Sequence, residues 1–264
     1  MKYNIILFAQ GRLASEIIKM MLKNNFFDLF ELKLLVTNKL FFNDFKTIYT
    51  NEAPSHIDNK NRNEEQIINF IKSNKIDFII SIQHPWIISK KIIKMVSNKA
   101  FNLHNAKLPE YKGYNSISHA IINEEKYYYS TIHRMIEVVD EGNIICEKKF
   151  PINKKDDALS LYLKSIQNAV FLFKSFIEEK LFEKSAEKIL SRSGTFYKKE
   201  SIKNLCDLSK VNDKKKFDNY VRALFFPPHN VAYVMDGQKK IYKLPKSRKD
   251  FNLENAIAEN LHSF

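Results

Sequence analysis

The chain has 264 residues, 44% hydrophobic and 28% charged, the balance of a soluble globular protein of one domain with an appendage or two small domains, and not of a disordered chain. Five glycines and seven prolines exclude a collagen-like or low-complexity chain, and two cysteines, Cys146 and Cys206, are too few for a disulfide framework or a cysteine-built zinc site. Lys and Arg total 43 against 30 Asp and Glu, a formal charge of +13, which favours an anionic partner (nucleic acid, a phosphorylated metabolite or a membrane surface), although lysines spread along helix faces also serve as solvated decoration.

No stretch approaches the ~20 apolar residues of a membrane span. The first apolar run stops at Gln10-Gly11-Arg12, too short for a secretory signal, so a cytoplasmic protein is expected. Tyr3–Phe8 is apolar and β-prone. Beyond it Leu13, Ile17, Met20 and Met21 recur at helical spacing through Leu13–Lys23. Strands are expected at Leu32–Val36 and Phe78–Ile82, with a polar loop over Asn51–Asn63 and a helix over Glu64–Ser73 between them. A short helix at Ser89–Met95 and a strand at Ala100–Leu103 follow. Strands alternating with helices predict an α/β fold, a mostly parallel sheet with helices on both faces. Gly11 follows the first strand, but G-x-G-x-x-G is absent, which disfavours a nicotinamide-dependent dehydrogenase.

The second half changes character. Tyr128–Met135 and Ile144–Phe150 read as a strand pair whose loop carries Asp140-Glu141-Gly142. Asp157–Lys180 is the longest helical stretch, with Asp156 or Asp157 as its cap. Val231–Met235 and Lys239–Leu244 flank Asp236-Gly237, a hairpin signal, after the break at Pro227-Pro228. The expected division is a main α/β domain over residues 1–190 and an extension over 191–264. The hairpin is too small to be stable alone, so pairing with a second copy in a homodimer is expected.

Chemistry concentrates in Phe101–Gly113. Asn102 and His104 lie two apart on an expected strand, so both side chains point to one side, at the carboxyl end where open α/β sheets place their ligand crevice. A base beside an amide donor suits acyl transfer, in which one takes a proton from the attacking amine and the other steadies the oxyanion. Asp140, on a loop with Gly142, could orient the histidine. Taken alone, Asn-x-His is also the pattern of a hydrogen-bonded structural histidine, and Asp140 that of a turn aspartate.

The segments FNLHNAKLPEYKGYNS (101–116), HAIIN (119–123) and TIHRMIEVVDEG (131–142) resemble the formyltransferase family, whose motif is Asn-x-His with a downstream Asp. The resemblance is strong between Lys75 and Phe150 and loose over the first strand and helix. It implies a Rossmann-like catalytic domain over 1–190 and 10-formyltetrahydrofolate as formyl donor, with no metal. Carried to this chain, it implies His104 as the acid/base, Asn102 as the oxyanion donor, and Asp140 as the carboxylate that strengthens His104 as a base and relays protons. It sets the pterin end of the donor between Trp86, Ile87 and Ile88 and the loop of Ile136, Val139 and Asp140, largely through backbone contacts. The remaining histidines (His56, His84, His119, His133, His229 and His262) lack metal-ligand spacing and read as structural or surface residues.

Members of the family differ in the amine they formylate: an aminoacyl-tRNA, glycinamide ribonucleotide or a nucleotide-linked amino sugar. The tRNA branch reads Pro-Ser-Leu-Leu-Pro after its histidine, where this chain has Asn105-Ala106-Lys107-Leu108-Pro109. Too few residues follow Gly194 for that branch's β-barrel. Ser81–Trp86, His104–Pro109, Tyr111–Asn115 and Arg222–Asn230 are similar to sugar N-formyltransferases acting on dTDP-amino sugars, and Tyr114 departs from the arginine of the enzyme acting on UDP-4-amino-arabinose. The resemblance thus implies a dTDP-linked dideoxy amino sugar as acceptor. The first choice is 4-amino-4,6-dideoxyglucose and the second a 3-amino-3,6-dideoxy sugar, destined for a surface polysaccharide such as the O-antigen of lipopolysaccharide. Its implied contacts are Asn105, Lys112, Asn115, Arg222, Phe225, Phe226, His229 and Asn230, with neither nucleic acid nor membrane as a partner. Lys112, Lys216 and Arg222 suit a diphosphate. Phe225 or Phe226 suits base stacking, or equally core packing. Methionyl-tRNA formyltransferase and a non-catalytic basic module are the rival readings.

Overall fold

A computed structural model describes residues 2–49, 51–182, 187–190 and 193–253. The chain forms two compact units: Met1–His104, Ser130–Lys148 and Asn168–Arg192 make the first, and Asn105–Tyr129, Lys149–Gln167 and Ser193–Phe264 the second. Residues 193–253 of the expected extension thus fall in one unit with two earlier segments, and residues 254–264 lie outside the described residues.

The first unit begins β1 (Tyr3–Ala9), α1 (Gly11–Lys23), β2 (Phe30–Thr37), α2 (Lys39–Ile48), β3 (Ser55–Asp58), α3 (Glu64–Ser73), β4 (Phe78–Ile82), α4 (Lys90–Met95), β5 (Ala100–His104). After β6 (Tyr111–Gly113) and α5 (Ser116–Ile122) in the second unit come β7 (Tyr127–Arg134) and β8 (Ile144–Pro151). The seven-stranded sheet has the order β3-β2-β1-β4-β5-β7-β8. β1 to β5 are parallel, and β7 runs antiparallel to β5. Ile5 to Ala9 have no exposed surface, so both faces of β1 are covered, and the strand reads as an unbroken apolar run rather than an alternating one. Ile6, Phe8, Leu34, Val36 and Ile79 pack with Ile67, Ile68 and Ile71 of α3 and Ile92 and Ile93 of α4. The expected helices at 64–73 and 89–95 are set by side-chain caps: Asn63 accepts from the Gln66 amide and Ser89 from the Ile92 amide.

Because β1 lies between β2 and β4, the strand order reverses there, which opens a crevice at the carboxyl ends of β1 and β4. One expectation fails. Residues 51–63, read as a polar loop, contain β3, because Ser-His-Ile-Asp carries no apolar alternation and is a strand only through its pairing with Leu34–Thr37. The long helix, α6, is α-helical over Ala158–Ser175 and widens to a π-helix over Phe176–Lys180, with Asp157 accepting from the Ser160 amide at its start.

In the second unit β6 pairs parallel with β9 (Thr195–Tyr197), and α7 spans Lys214–Ala223. At Gly113 (φ +85) a Cβ would lie 2.4 Å from the Tyr197 carbonyl oxygen, so only glycine permits that strand pair. β10 (Tyr233–Asp236) and β11 (Lys239–Tyr242) form the expected antiparallel hairpin. Tyr111, Ala120, Ile121, Tyr128, Phe150, Leu161 and Ala223 share one core, and Ile202, Leu208, Val221, Leu224 and Ala232 another. No described helix is long and apolar enough to cross a membrane.

Candidate active site

β5 carries the Asn-x-His pair. Phe101 and Leu103 are buried on one side of the strand, which turns Asn102 and His104 to the other. On the antiparallel neighbour, Asn102 stands opposite His133 and His104 opposite Thr131. Residues directly opposite share a face, and the Asn102 amide nitrogen lies 3.1 Å from His133 Nε2. His133 Nδ1 is 3.0 Å from the Arg134 carbonyl, which can only accept, so Nδ1 carries a proton, and when the ring holds that proton alone Nε2 accepts from Asn102. An amide has two N–H donors, and His133 takes one of them.

Asp140 joins the cluster from the loop after β7. Its backbone is left-handed (φ +56). Two residues on, a Cβ at Gly142 would fall 1.7 Å from the Arg134 carbonyl oxygen, so only glycine lets the loop fold back so tightly. The result is Asp140 Oδ2 at 3.6 Å from His104 Nδ1 and Oδ1 at 3.4 Å from His133 Nε2. The side chains of His104, His133 and Asp140 are 10%, 3% and 6% exposed, so the carboxylate meets two imidazoles almost out of water. Sequence reasoning had placed Asn102, His104 and Asp140 together but left His133 aside. The alternation of β7 sets His133 on one face with Thr131, but its partner on β5 comes only from the register between the two strands.

A pocket of about 220 Å³ is lined by Phe8, Ile67, Trp86, Ile87, Ile88 and Ile92, with Arg62, Glu64 and Ser89 as its polar side. Trp86, Ile87 and Ile88 are therefore in it, whereas Ile136, Val139 and Asp140 do not line it. Ile87 is 73% exposed, and Ile136 and Val138 are also exposed. Among the described residues, the backbone groups of Ile87 and Ile88 take no hydrogen-bond partner. Lys90 and Glu137 form an exposed ion pair that links the start of α4 to the 136–140 loop, and it holds the Glu137 carboxyl below its ordinary value.

The expected nucleotide contacts lie in the second unit, where several are engaged structurally. The Asn105 amide donates to Ser165 Oγ at 2.6 Å, and its carbonyl accepts from the Tyr128 hydroxyl at 2.5 Å. The Asn115 amide donates to the Lys199 carbonyl at 2.8 Å. Lys112 is buried. The Arg222 guanidinium, expected on a diphosphate, donates to the carbonyls of Asp156 (2.6 Å) and Lys154 (3.1 Å) and to Asn219 Oδ1 (2.6 Å). Its burial lowers its pKa, opposed by Asp156 and Asp157.

Phe225 has no exposed surface. Phe251 meets it edge-on at 5.2 Å, and the Arg248 guanidinium lies over its ring at 5.6 Å, so it is a core residue and offers no face to a base. Phe226 is half-buried and lies parallel to the exposed His229 ring at 6.4 Å. Asn230 closes that turn, exchanging backbone hydrogen bonds with Phe226.

Known proteins resemble this chain in the same sense. GDP-perosamine N-formyltransferase of Brucella melitensis biotype 1 is 29% identical over 69% of this chain and 70% of its own length. The bifunctional polymyxin resistance protein ArnA of Wigglesworthia glossinidia brevipalpis is 28% identical over 84% of this chain, which spans only 34% of that relative. A 4-N formyltransferase structure from Francisella tularensis superposes with a TM-score of 0.74 at 21% identity, covering 92% of this chain and 96% of that one. WlaRD, a sugar 3N-formyltransferase solved with dTDP and 5-N-formyl-THF, does so at 0.64 and 25% identity, covering 91% and 85%. Residues 1–173, more than half of the sequence and the whole of the Asn102–His104–Asp140 cluster, match the formyl transferase family, and the chain belongs to it.

Proposed function

We propose that this protein moves a formyl group from 10-formyltetrahydrofolate to the amino group of a dTDP-linked dideoxy amino sugar, 4-amino-4,6-dideoxyglucose first. The observation that carries the reading is the buried cluster of Asn102, His104, His133 and Asp140 at the carboxyl end of β5 in a formyl transferase family member. The pocket beside Trp86, part aromatic and aliphatic and part polar, with two unpartnered backbone residues on its wall, suits a flat heterocycle that needs both donors and acceptors. Support for a nucleotide-sugar acceptor comes from the names of the relatives, one acting on GDP-perosamine and one solved with dTDP. The 3N-formyltransferase among them favours a 3-amino sugar as the second choice.

The chain's own residues divide the work as follows. His104 takes the proton from the amine as it attacks the formyl carbon. Asn102, held by His133, turns its remaining N–H to the oxygen that gains charge. Asp140 orients His104 and balances the imidazolium it becomes, and His104 then gives the proton to the departing folate nitrogen. In the acceptor's site, Phe226 and His229 offer an aromatic surface, and Lys112 and Asn230 the polar contacts, with Asn105 and Asn115 anchored to the chain around them. Arg222 and Phe225 build the scaffold behind them. The protein acts in the cytoplasm as a homodimer joined through the β10–β11 hairpin, in the synthesis of a surface polysaccharide.

Calorimetric titration with dTDP, GDP and UDP tests the acceptor. Binding of dTDP well above the other two supports the reading and selects the 4-amino and 3-amino sugars for turnover assays with the folate donor. If none of the three nucleotides bound, the nucleotide-sugar reading would fall, and tRNA would be the next acceptor to assay.

A further inference from the structure

We propose that His84, Asn59 and Gln10 form a brace that fixes Trp86 as a wall of the donor pocket, which makes them positioning residues for folate binding. The proposal rests on the reading of that pocket as the folate site. The three side chains come from the end of β1, the turn after β3 and the turn after β4, and they converge where the strand order reverses.

The chain leaves β4 through Gln83 in a left-handed conformation (φ +51) and brings His84 edge-on against buried Phe8 at 5.2 Å. His84 Nδ1 accepts the Trp86 backbone N–H at 3.2 Å. In a histidine, Nδ1 stands where an asparagine carries Oδ1, so this is the residue i to i+2 bond of an Asx turn, made by a ring. Trp86 is held a second time, by its indole N–H on the Asn59 carbonyl at 2.9 Å. The two holders also meet: the Asn59 side-chain amide lies 3.5 Å from His84 Nε2 and 2.8 Å from the Gln10 side-chain amide.

Burial lowers the His84 pKa to about 3, so the ring is neutral at working pH. A neutral ring holds one proton, and with Nδ1 accepting, that proton sits on Nε2. Asn59 then turns its amide oxygen to the ring and Gln10 its amide nitrogen to Asn59, a half-turn of each amide that leaves the heavy atoms in place. The chain of bonds runs from Gln10 to Trp86 without an unmatched pair. Such bonds add little net stability. They fix geometry instead: with both N–H groups of Trp86 anchored, the indole and the open backbone of Ile87 and Ile88 keep one orientation toward the pocket.

Trp86 is the only tryptophan in the chain, so intrinsic fluorescence reads this wall directly. The test titrates the full chain, H84F and H84N with 5-formyltetrahydrofolate. H84F keeps an aromatic ring against Phe8 but cannot accept the Trp86 N–H, whereas H84N keeps the acceptor and loses the ring. The expected result is binding about tenfold weaker in H84F, the size of one net hydrogen bond, with lower Trp86 anisotropy, while H84N stays within about threefold of wild type. In turnover the loss falls on the donor KM and leaves the acceptor KM unmoved. H84F binding as tightly as wild type, or H84N weakening as much as H84F, would overturn the brace, the second outcome by showing that ring packing alone matters. A wild-type protein whose emission ignores the folate would instead overturn the reading of the pocket.

Discussion

In the first unit, Asn102, His104, His133 and Asp140 meet one another: side chain faces side chain at 3.1 to 3.6 Å, and three of the four are titratable. In the second unit, Asn115 and Arg222, polar residues that look equally functional in the sequence, meet backbone carbonyls at 2.6 to 3.1 Å. The first arrangement lets a proton be passed and leaves an amide N–H for a substrate. The second satisfies main-chain carbonyls and so shapes the chain around a site. Substitutions should therefore split the two regions cleanly, with losses of rate in the first and losses of stability in the second.

The largest effect is expected at His104. His104→Asn removes the acid/base and should lower kcat about 10³- to 10⁴-fold, with circular dichroism and melting temperature close to wild type. Substantial residual turnover would remove His104 from its assigned role. The counterpart in the second unit is Phe225→Ala, which empties a fully buried aromatic position and should cost about 3–5 kcal/mol of stability. Phe226→Ala, by contrast, should raise the KM for the nucleotide sugar with little change in melting temperature. If the two phenylalanines exchanged phenotypes in denaturation and kinetics, Phe225 would be the nucleotide contact and Phe226 the core residue.

Asn102→Ala follows, with an expected loss of about 10²- to 10³-fold in kcat, the range for removing one oxyanion donor. Arg222→Met keeps the aliphatic stem and strands the carbonyls of Lys154 and Asp156. It should cost about 1–3 kcal/mol in urea unfolding while dTDP binding changes little. A large fall in dTDP affinity at unchanged stability would return Arg222 to the phosphates.

Much of the first unit was legible because its strands are buried on both faces and bounded by polar turns. Phe78–Ile82 and Glu64–Ser73 fall where the apolar runs and the Asn63 cap put them. The convergence of Asn102, His104 and Asp140 was legible because Asn102 and His104 sit two apart on a strand and Gly142 marks the tight return that delivers Asp140. His133 was hidden: its partner is fixed by the register between β5 and β7, 31 residues apart, which no local pattern encodes. β3 was hidden for the same reason. In the second unit no local pattern separates the two uses of Arg222, since a guanidinium suits a ring of carbonyls as well as a phosphate. The fate of Phe225 and Phe226 turned on a one-residue difference in burial.

The smallest effect at neutral pH is expected from His119, which extends the comparison to histidines outside the cluster. His119 is buried, stacked on Tyr197 at 3.9 Å with Nε2 at 2.8 Å from Ser201 Oγ, and burial lowers its pKa to about 4. In the unfolded chain its pKa is about 6.5. Between those values the unfolded state binds the extra proton, so stability is full above about pH 6.5 and is lost as pH falls toward 4. One histidine contributes at most about 1.4 kcal/mol per pH unit to that slope, less where solvent screens it. His84 adds to the same trend down to about pH 3 from the first unit. His119→Phe keeps the stack on Tyr197 and removes the titrating group. It should lose about 1 kcal/mol at pH 7.5 through the Ser201 bond and then melt with a visibly flatter dependence on pH between 6.5 and 4. A melting profile parallel to wild type across that range would mean that His119 is as easily protonated folded as unfolded, and that the acid sensitivity of the second unit lies elsewhere.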